Sequence, residues 1–353
     1  VRAVVLLHDA LGGRGGIAKF NRDALRALAA MPEIDEIEVL ARLAPLDPPG
    51  PVPEKIRYRH AGGSLPRFLA LAAGARLRGA DLWLCGHLNL LPAAPRGCRL
   101  VVHGIEAWQP PPDTWRGRRV RRAVAQVGQA ISVSALTAER LAGWSGLPPA
   151  RFAVVGNAVE LSAYAPALEP PPSPVLLSLG RMVGADRHKG FDELLETFAA
   201  LRERVPGTRL VLAGDGPDRA RLEAKAHSLG LAGQVAFPGY VPEADKPALY
   251  RQASAFALCG RGEGFGIVLL EAMASGLPVV ASRRDASGEV VAEVGGAAGE
   301  AADPDDPDSL LDALERALRR GPGAPPPGLA RFAFPAFAER LQAALRDAPS
   351  ERT

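Results

Sequence analysis

The sequence predicts an α/β protein of two domains, each built on a parallel sheet. Three observations carry this. Short β-branched runs alternate with stretches of helical apolar spacing. The alternation halts at residues 166–174, PALEPPPSP, a proline-rich linker, and then restarts. The chain has 353 residues, enough for about two domains.

The elements follow in order. Residues 4–7 form an apolar run that reads as a buried strand. Gly12, Gly13, Gly15 and Gly16 come next, and 17–30 repeats Phe20, Leu25 and Leu28 at helical spacing. Residues 37–40, 82–84, 100–102 and 130–133 are further strands of a first domain set at 1–165. Past the linker, a second domain spans 175–327. Its strands are expected at 175–179, 209–213, 235–237, 255–258 and 278–281, and its helices at 192–204, 219–229, 267–274 and 309–319. A second proline-rich break, 325–327, precedes an amphipathic helix at 335–346, and 335–353 is assigned to the first domain.

Hydrophobic residues make up 47% and charged residues 23%, which excludes a mainly disordered chain. The 38 glycines and 33 prolines have no triplet period, so collagen is excluded. No apolar run reaches the ~18 residues of a membrane span. The first residues, VRAVVLLHDALGG, lack a basic lead and a small-residue cleavage site, so no export signal is expected and the location is read as cytoplasmic. Cys85, Cys98 and Cys259 form no C-x-x-C pair, and the histidines show no metal spacing, so neither disulfide nor metal is expected. The net charge is +3, unevenly spread: residues 1–165 carry 21 basic and 13 acidic residues, the remainder 21 and 26. Either the first half meets an anionic partner, or the excess reflects heavy arginine usage throughout.

The most informative stretch is EGFGIVLLEAMASGLPVVA, residues 263–281. Glu263 stands in a loop before a helix that begins at Ile267, and Glu271 lies about one turn in, ~6 Å along the axis. Gly264 and Gly266 permit close approach of a ligand to the backbone, and a helix start presents unpaired N–H groups. The bland alternative is a capping Glu and a solvated Glu. In LGRMVGADRHKG, residues 179–190, Arg181 and Lys189, with Arg187 between, bring positive charge to the end of a strand, where α/β ligands sit. Arg and Lys together suit a diphosphate; a solvated basic loop is the alternative. His103 and Glu106 follow another strand, where a lone His is more often structural. Gly13-x-Gly15-x-x-Ala18 matches the dinucleotide fingerprint only formally, because four residues part it from its strand.

Taken together these segments resemble glycosyltransferase family 4, retaining enzymes of the GT-B fold. GGRGGIAKF, VVGNAVELSAY, GRM…KGFDELLETF, LVLAGDGP, VAFPGYVPEADKPALY and the E-x7-E segment follow the family order, and ARFAFPAFAERL resembles the last helix, which crosses back to the first domain. The resemblance implies two Rossmann-like domains facing across a cleft and transfer of a hexose from a UDP- or GDP-linked sugar. The acceptor would be a glycan or lipid-linked saccharide, as in polysaccharide, lipopolysaccharide or glycolipid synthesis.

Roles follow by resemblance. Arg181 and Lys189 would hold the diphosphate, joined by the backbone at Gly15 and Gly16. Glu263 and the backbone of Phe265, Gly266 and Ile267 would grip the sugar, and Glu271 the ribose. Val241 would meet the base, with Glu243 and Lys246 nearby, and His103 would face the donor sugar. The loop between Arg181 and Lys189 is longer than the common family form, so Arg187 could share the phosphate role. No metal or other cofactor is expected, since fixed cations can absorb the charge on the leaving diphosphate. Trp115 with Arg116, Arg118, Arg119, Arg121 and Arg122, near Trp108, suits an acceptor or an anionic membrane surface at the inner face of the plasma membrane. A solvated basic face is the alternative. No nucleic acid partner is expected.

Three competing functions have distinct signatures. A nucleotide-sugar epimerase or phosphorylase of the same fold would release sugar without an acceptor. A nicotinamide oxidoreductase would leave the motifs of the second domain unexplained. A non-catalytic sugar-binding module would be expected to lose Arg181, Lys189, Glu263 or Glu271, all of which are present.

Overall fold

The computed structural model describes residues 1–46, 52–167, 169, 171–184, 189–296 and 298–347. Two compact units divide the chain: Val1–Ala158 with Phe334–Thr353, and Val159–Ala333.

The first unit holds strands β1 (Arg2–Leu7), β2 (Glu36–Ala41), β3 (Ile56–His60), β4 (Leu82–Cys85), β5 (Arg99–Val102), β6 (Gln129–Ser132) and β7 (Phe152–Val154). They form a parallel sheet of order β3-β2-β1-β4-β5-β6-β7 among the described residues. The helices are α1 (Gly16–Ala29), α2 (Leu65–Arg78), α3 (Ile105–Trp108), α4 (Trp115–Val124) and α5 (Ala135–Ser145). Central strands such as RAVVLL and LWLC are buried along nearly their whole length, because helices cover both faces of a parallel sheet. The edge strand β3, IRYRH, was not anticipated. Its exposed arginines hide it from an apolar-run reading, and such charges suit an edge. Helix α2 was also missed, although Ser64 caps it by accepting from the Arg67 N–H and Pro66 stands in its first turn.

The second unit repeats the plan with β8 (Val175–Leu179), β9 (Arg209–Ala213), β10 (Val235–Gly239), β11 (Ala255–Leu258), β12 (Val279–Ser282) and β13 (Gly299–Ala302), in the parallel order β10-β9-β8-β11-β12-β13. Helices α6 (Phe191–Arg204), α7 (Arg219–Ser228), α8 (Lys246–Arg251), α9 (Ile267–Ala274), α10 (Ser287–Val294) and α11 (Pro307–Arg320) pack on it. Leu194, Leu195, Phe198 and Leu201 of α6 and Leu310 and Leu314 of α11 share one core with Leu176, Leu210 and Val280. The strand order reverses between β8 and β11, which lie side by side, so the loops leaving their C-terminal ends part and leave a crevice.

Helix α12 (Phe334–Arg346) belongs to the first unit. Phe337 is fully buried and meets Phe20 edge-on at 5.5 Å, and the Arg26 guanidinium lies 3.8 Å over the Phe334 ring. Gln129 Nε2 donates to the Ala344 carbonyl and Gln342 Nε2 to that of Ala27, both at 2.9 Å.

Candidate active site

The crevice of the second unit is shaped by one close approach. A Cβ on Gly190 would stand 2.4 Å from the Cys259 carbonyl oxygen, and its φ is +84°. Only glycine lets the loop after β8 lie this near the loop after β11. The neighbour Lys189 thereby reaches Glu263, with Nζ 2.7 Å from Oε2.

Glu263 turns back toward the start of α9. Its Oε1 lies 3.5 Å from the Phe265 nitrogen, and Gly266, with φ +91°, caps the helix. Burial alone would raise the Glu263 carboxyl. The charge and hydrogen bond of Lys189, with the Phe265 and Gly266 N–H groups, outweigh it and hold the group below its ordinary value. The Glu263 carboxylate thus rests on a lysine and a helix N-terminus, the two features that bind an anion. Arg181 is exposed two residues past β8. Arg187 lies outside the described residues.

Asp285 escaped the sequence reading. Only 5% exposed, it accepts from the Glu263 N–H at 3.0 Å and from the Ser287 N–H and hydroxyl at 3.0 and 2.5 Å. The Ala286 N–H returns a bond to the Glu263 carbonyl at 3.0 Å. The backbone of Glu263 is therefore clipped on both sides to the turn before α10. Burial pushes the Asp285 carboxyl up to about 6 against these donors. A lone Asp in RRDASGE carries no motif; the Asx-turn spacing of Asp285 to Ser287 was the available signal.

Glu271 is 1% exposed, so a solvated helix Glu is excluded. The Tyr250 hydroxyl donates to Oε2 at 2.8 Å, and Lys246 Nζ lies 3.4 Å from both oxygens. Lys246 also pairs with Glu243 at 2.8 Å. This ties α9 to the loop after β10, which carries the half-buried Val241. Tyr164 stacks edge-on with Tyr250 at 5.9 Å and bonds Glu271; burial and the Glu271 charge raise its hydroxyl well above the ordinary range. Tyr164 and Tyr250 close two of the quoted segments, VVGNAVELSAY and VAFPGYVPEADKPALY, but neither was given a role from sequence. Lys189, Glu263, Phe265, Gly266 and Ile267 thus gather at one end of α9, and Glu271 one turn on.

In the first unit, Gly15 (φ +86°) caps α1, and Gly15 and Gly16 are exposed. β1 ends at Leu7 and α1 begins at Gly16, so the loop is longer than a dinucleotide fingerprint allows. His103 follows β5. Its Nε2 lies 3.1 Å from the Gly86 carbonyl, its ring meets Phe20 edge-on at 5.0 Å, and its N–H donates to Glu106 at 2.6 Å. Burial pushes its ring below the usual histidine range, against the pull of Glu106.

The basic helix α4 divides. Arg118 and Arg121 pair with Asp113 at 3.3 and 2.6 Å, whereas Arg119 and Arg122 line a groove. Trp115 is 58% exposed, with Arg116 5.1 Å from its ring. Trp108 donates to Thr137 at 3.1 Å and serves packing. Asp303 and Asp305, an Asp-x-Asp spacing that a search for metal ligands should note, are paired with Arg284 and Arg261. No group of three or more His, Cys, Asp or Glu among the described residues is placed to hold a metal ion. No helix among them is long and apolar enough to cross a membrane.

Residues 165–324 match the family model of glycosyl transferases group 1. The chain is 44% identical over 114 residues to mannosylfructose-phosphate synthase of Agrobacterium fabrum, covering 30% of this chain and 24% of that one. It is 39% identical over 148 residues to a GDP-mannose-dependent phosphatidylinositol monomannoside mannosyltransferase of Mycolicibacterium smegmatis, covering 40% and 37%. These matches span 24% and 37% of the relatives' own lengths. Among solved structures, sucrose-phosphate synthase of Thermosynechococcus elongatus superposes with TM-score 0.72 at 21% identity, over 98% of this chain and 95% of that one. HepE of Anabaena with UDP-glucose gives 0.72 at 19%, over 98% and 99%. Residues 165–324 thus belong to the group 1 glycosyl transferases, as the family 4 motifs implied, and the chain has the GT-B fold.

Proposed function

We propose that this protein transfers a hexose, with retention and without a metal, from a nucleoside-diphosphate sugar to a glycan or lipid-linked acceptor. The observation that carries the proposal is the Lys189–Glu263 pair seated against the N-terminus of α9, with Glu271 one turn along. The segment offers, in sequence along one ligand, a carboxylate for sugar hydroxyls, an anion cradle for the diphosphate and a second carboxylate for a ribose.

The chemistry follows from charge. Cleaving the glycosidic bond leaves negative charge on the diphosphate. Lys189, Arg181 and the first N–H groups of α9 stabilise that charge where it develops. Lys189 exchanges its partner as the donor enters, from the Glu263 carboxylate to phosphate. Glu263 is then released toward the sugar, while Asp285 keeps its backbone in place. The acceptor hydroxyl passes its proton to the departing phosphate. Lipid-linked acceptors accord with the glycolipid enzymes among the relatives, and the basic α4 with its exposed Trp115 suits attachment at the cytoplasmic face of a membrane.

A panel of UDP- and GDP-sugars, scored by thermal shift and slow donor hydrolysis in EDTA, tests the proposal. One donor should raise Tm and release its sugar. No shift and no heat with either UDP or GDP would end it.

A further inference from the structure

The two arginine-rich grooves of the first unit differ in one respect. The groove formed by Arg2, Arg57, Arg59 and Arg78 contains Glu36 and Glu38, and Arg2, Arg59 and Arg78 converge on the buried Glu38 at 2.6–3.4 Å. Its charge is answered from within. The second groove, about 900 Å³, is lined by Arg76, Arg96, Arg119 and Arg122 and by no Asp or Glu. Trp83 and Leu91 lie beneath it.

The arginines come from three elements: Arg76 from α2, Arg96 from the turn before β5, and Arg119 and Arg122 from α4. Arg76 and Arg96 are steadied by protein acceptors, the Ala94 carbonyl and the Gln126 side chain. Arg119 and Arg122 sit three residues apart on the exposed face of α4, side by side one turn apart. Neither joins Asp113, which takes Arg118 and Arg121 instead. The groove opens near Trp83 and Cys98, at the starts of β4 and β5, the opposite end of the sheet from His103. It is therefore apart from the strand end that carries His103.

We propose that this groove is a second anion site, which binds a phosphoryl group through Arg119 and Arg122 with Arg76 and Arg96 flanking. Guanidiniums match phosphate oxygens in forked, charge-assisted pairs. A groove of like charges with no internal carboxylate is also relieved by an anion. The phosphoryl group could arrive on a lipid headgroup or on a soluble phosphate; the recognition chemistry is shared. The inference does not depend on the proposed transferase activity.

The full chain should be titrated calorimetrically with inorganic pyrophosphate, and separately with phosphatidylcholine vesicles with and without phosphatidylglycerol. Lys189→Ala, Arg119→Ala/Arg122→Ala and Arg119→Lys/Arg122→Lys are run alongside. In the Lys189→Ala background, which removes the proposed diphosphate contact, at least one probe should still bind, lose tenfold or more when Arg119→Ala/Arg122→Ala is added, and regain only part of that with Arg119→Lys/Arg122→Lys, which keep the charge and lose the fork. Pyrophosphate alone meeting this pattern makes the ligand a soluble phosphate; phosphatidylglycerol-containing vesicles alone make it a headgroup. If neither probe distinguishes the double alanine variant from its Lys189→Ala parent, the site does not exist.

Discussion

Two lysine–glutamate pairs of the second unit differ in their access to water. In Lys189–Glu263 the side chains are 17% and 20% exposed; in Lys246–Glu271 they are 12% and 1%. The first pair joins two loops and has backbone N–H groups beside it. The second is walled by Tyr250 and tied to Glu243. The same residue types therefore do different work. A pair open to solvent can trade partners, because an incoming anion replaces what it displaces. A pair enclosed by protein cannot dissociate without leaving a bare charge, so it holds structure while lending a carboxylate edge.

Lys189→Ala breaks the contrast most severely. Under the proposed mechanism kcat should fall about 100- to 1000-fold, the size expected for losing one donor to a developing anion, with a smaller change in KM. Steady-state kinetics over donor concentration checks this, and an unchanged kcat would remove Lys189 from the reaction. Glu271→Ala attacks the enclosed pair. It leaves Lys246 to Glu243 alone and the Tyr250 hydroxyl with only the Val268 carbonyl at 3.4 Å, so unfolding stability should drop by about 1–3 kcal/mol and donor affinity about tenfold. Urea denaturation and calorimetry separate the two losses.

Asp285 sharpens the comparison through pH. Its folded carboxyl is raised from the ordinary 3.8 to about 6, so the folded state holds a proton that the unfolded chain has already lost. This contribution is fully present below about pH 4 and is lost as pH rises through about 6, costing roughly 1–3 kcal/mol in the fully ionised state. Asp285→Asn removes the titration. Relative to wild type, the variant should therefore gain about that much stability between pH 4 and 7, measured by urea unfolding at each pH. Donor binding should move the opposite way: the ionised carboxylate is the better acceptor for the Glu263 N–H, so wild-type affinity should weaken below pH 6. The smallest effect is Asp113→Ala. Its partners on α4 are exposed, and stability should change by less than about 0.5 kcal/mol.

What could be read from sequence tracks how local the signal is. β8, β9 and β11 and helix α9 stand at their expected residues, because each is a short apolar run or a helix flanked by glycine. β3 and β13 were not visible: IRYRH and GEAA become strands through pairing with β2 and β12, a non-local cause. At the site, Lys189, Glu263 and Glu271 stand in motifs. Asp285, Tyr164 and Tyr250 act through contacts across 22, 107 and 21 residues of chain, and no spacing rule reaches so far. The arginines of α4 were legible as a cluster; that the cluster splits between Asp113 and a groove depends on helix rotation, fixed by buried Gly117, Val120 and Val124.

The placement of α12 bears on how the polypeptide is made. Arg99 and Gln129 hydrogen-bond to the carbonyls of Leu345 and Ala344, and Phe20 needs Phe337. Those partners are translated only after the whole of the second unit. The portion translated first must therefore wait, its α1 flank bare, while the portion translated second already has every strand it requires. Birth order and order of completion are reversed, and a chain halted just before Phe334 would hold a second unit with its strands in place beside a first unit still lacking α12.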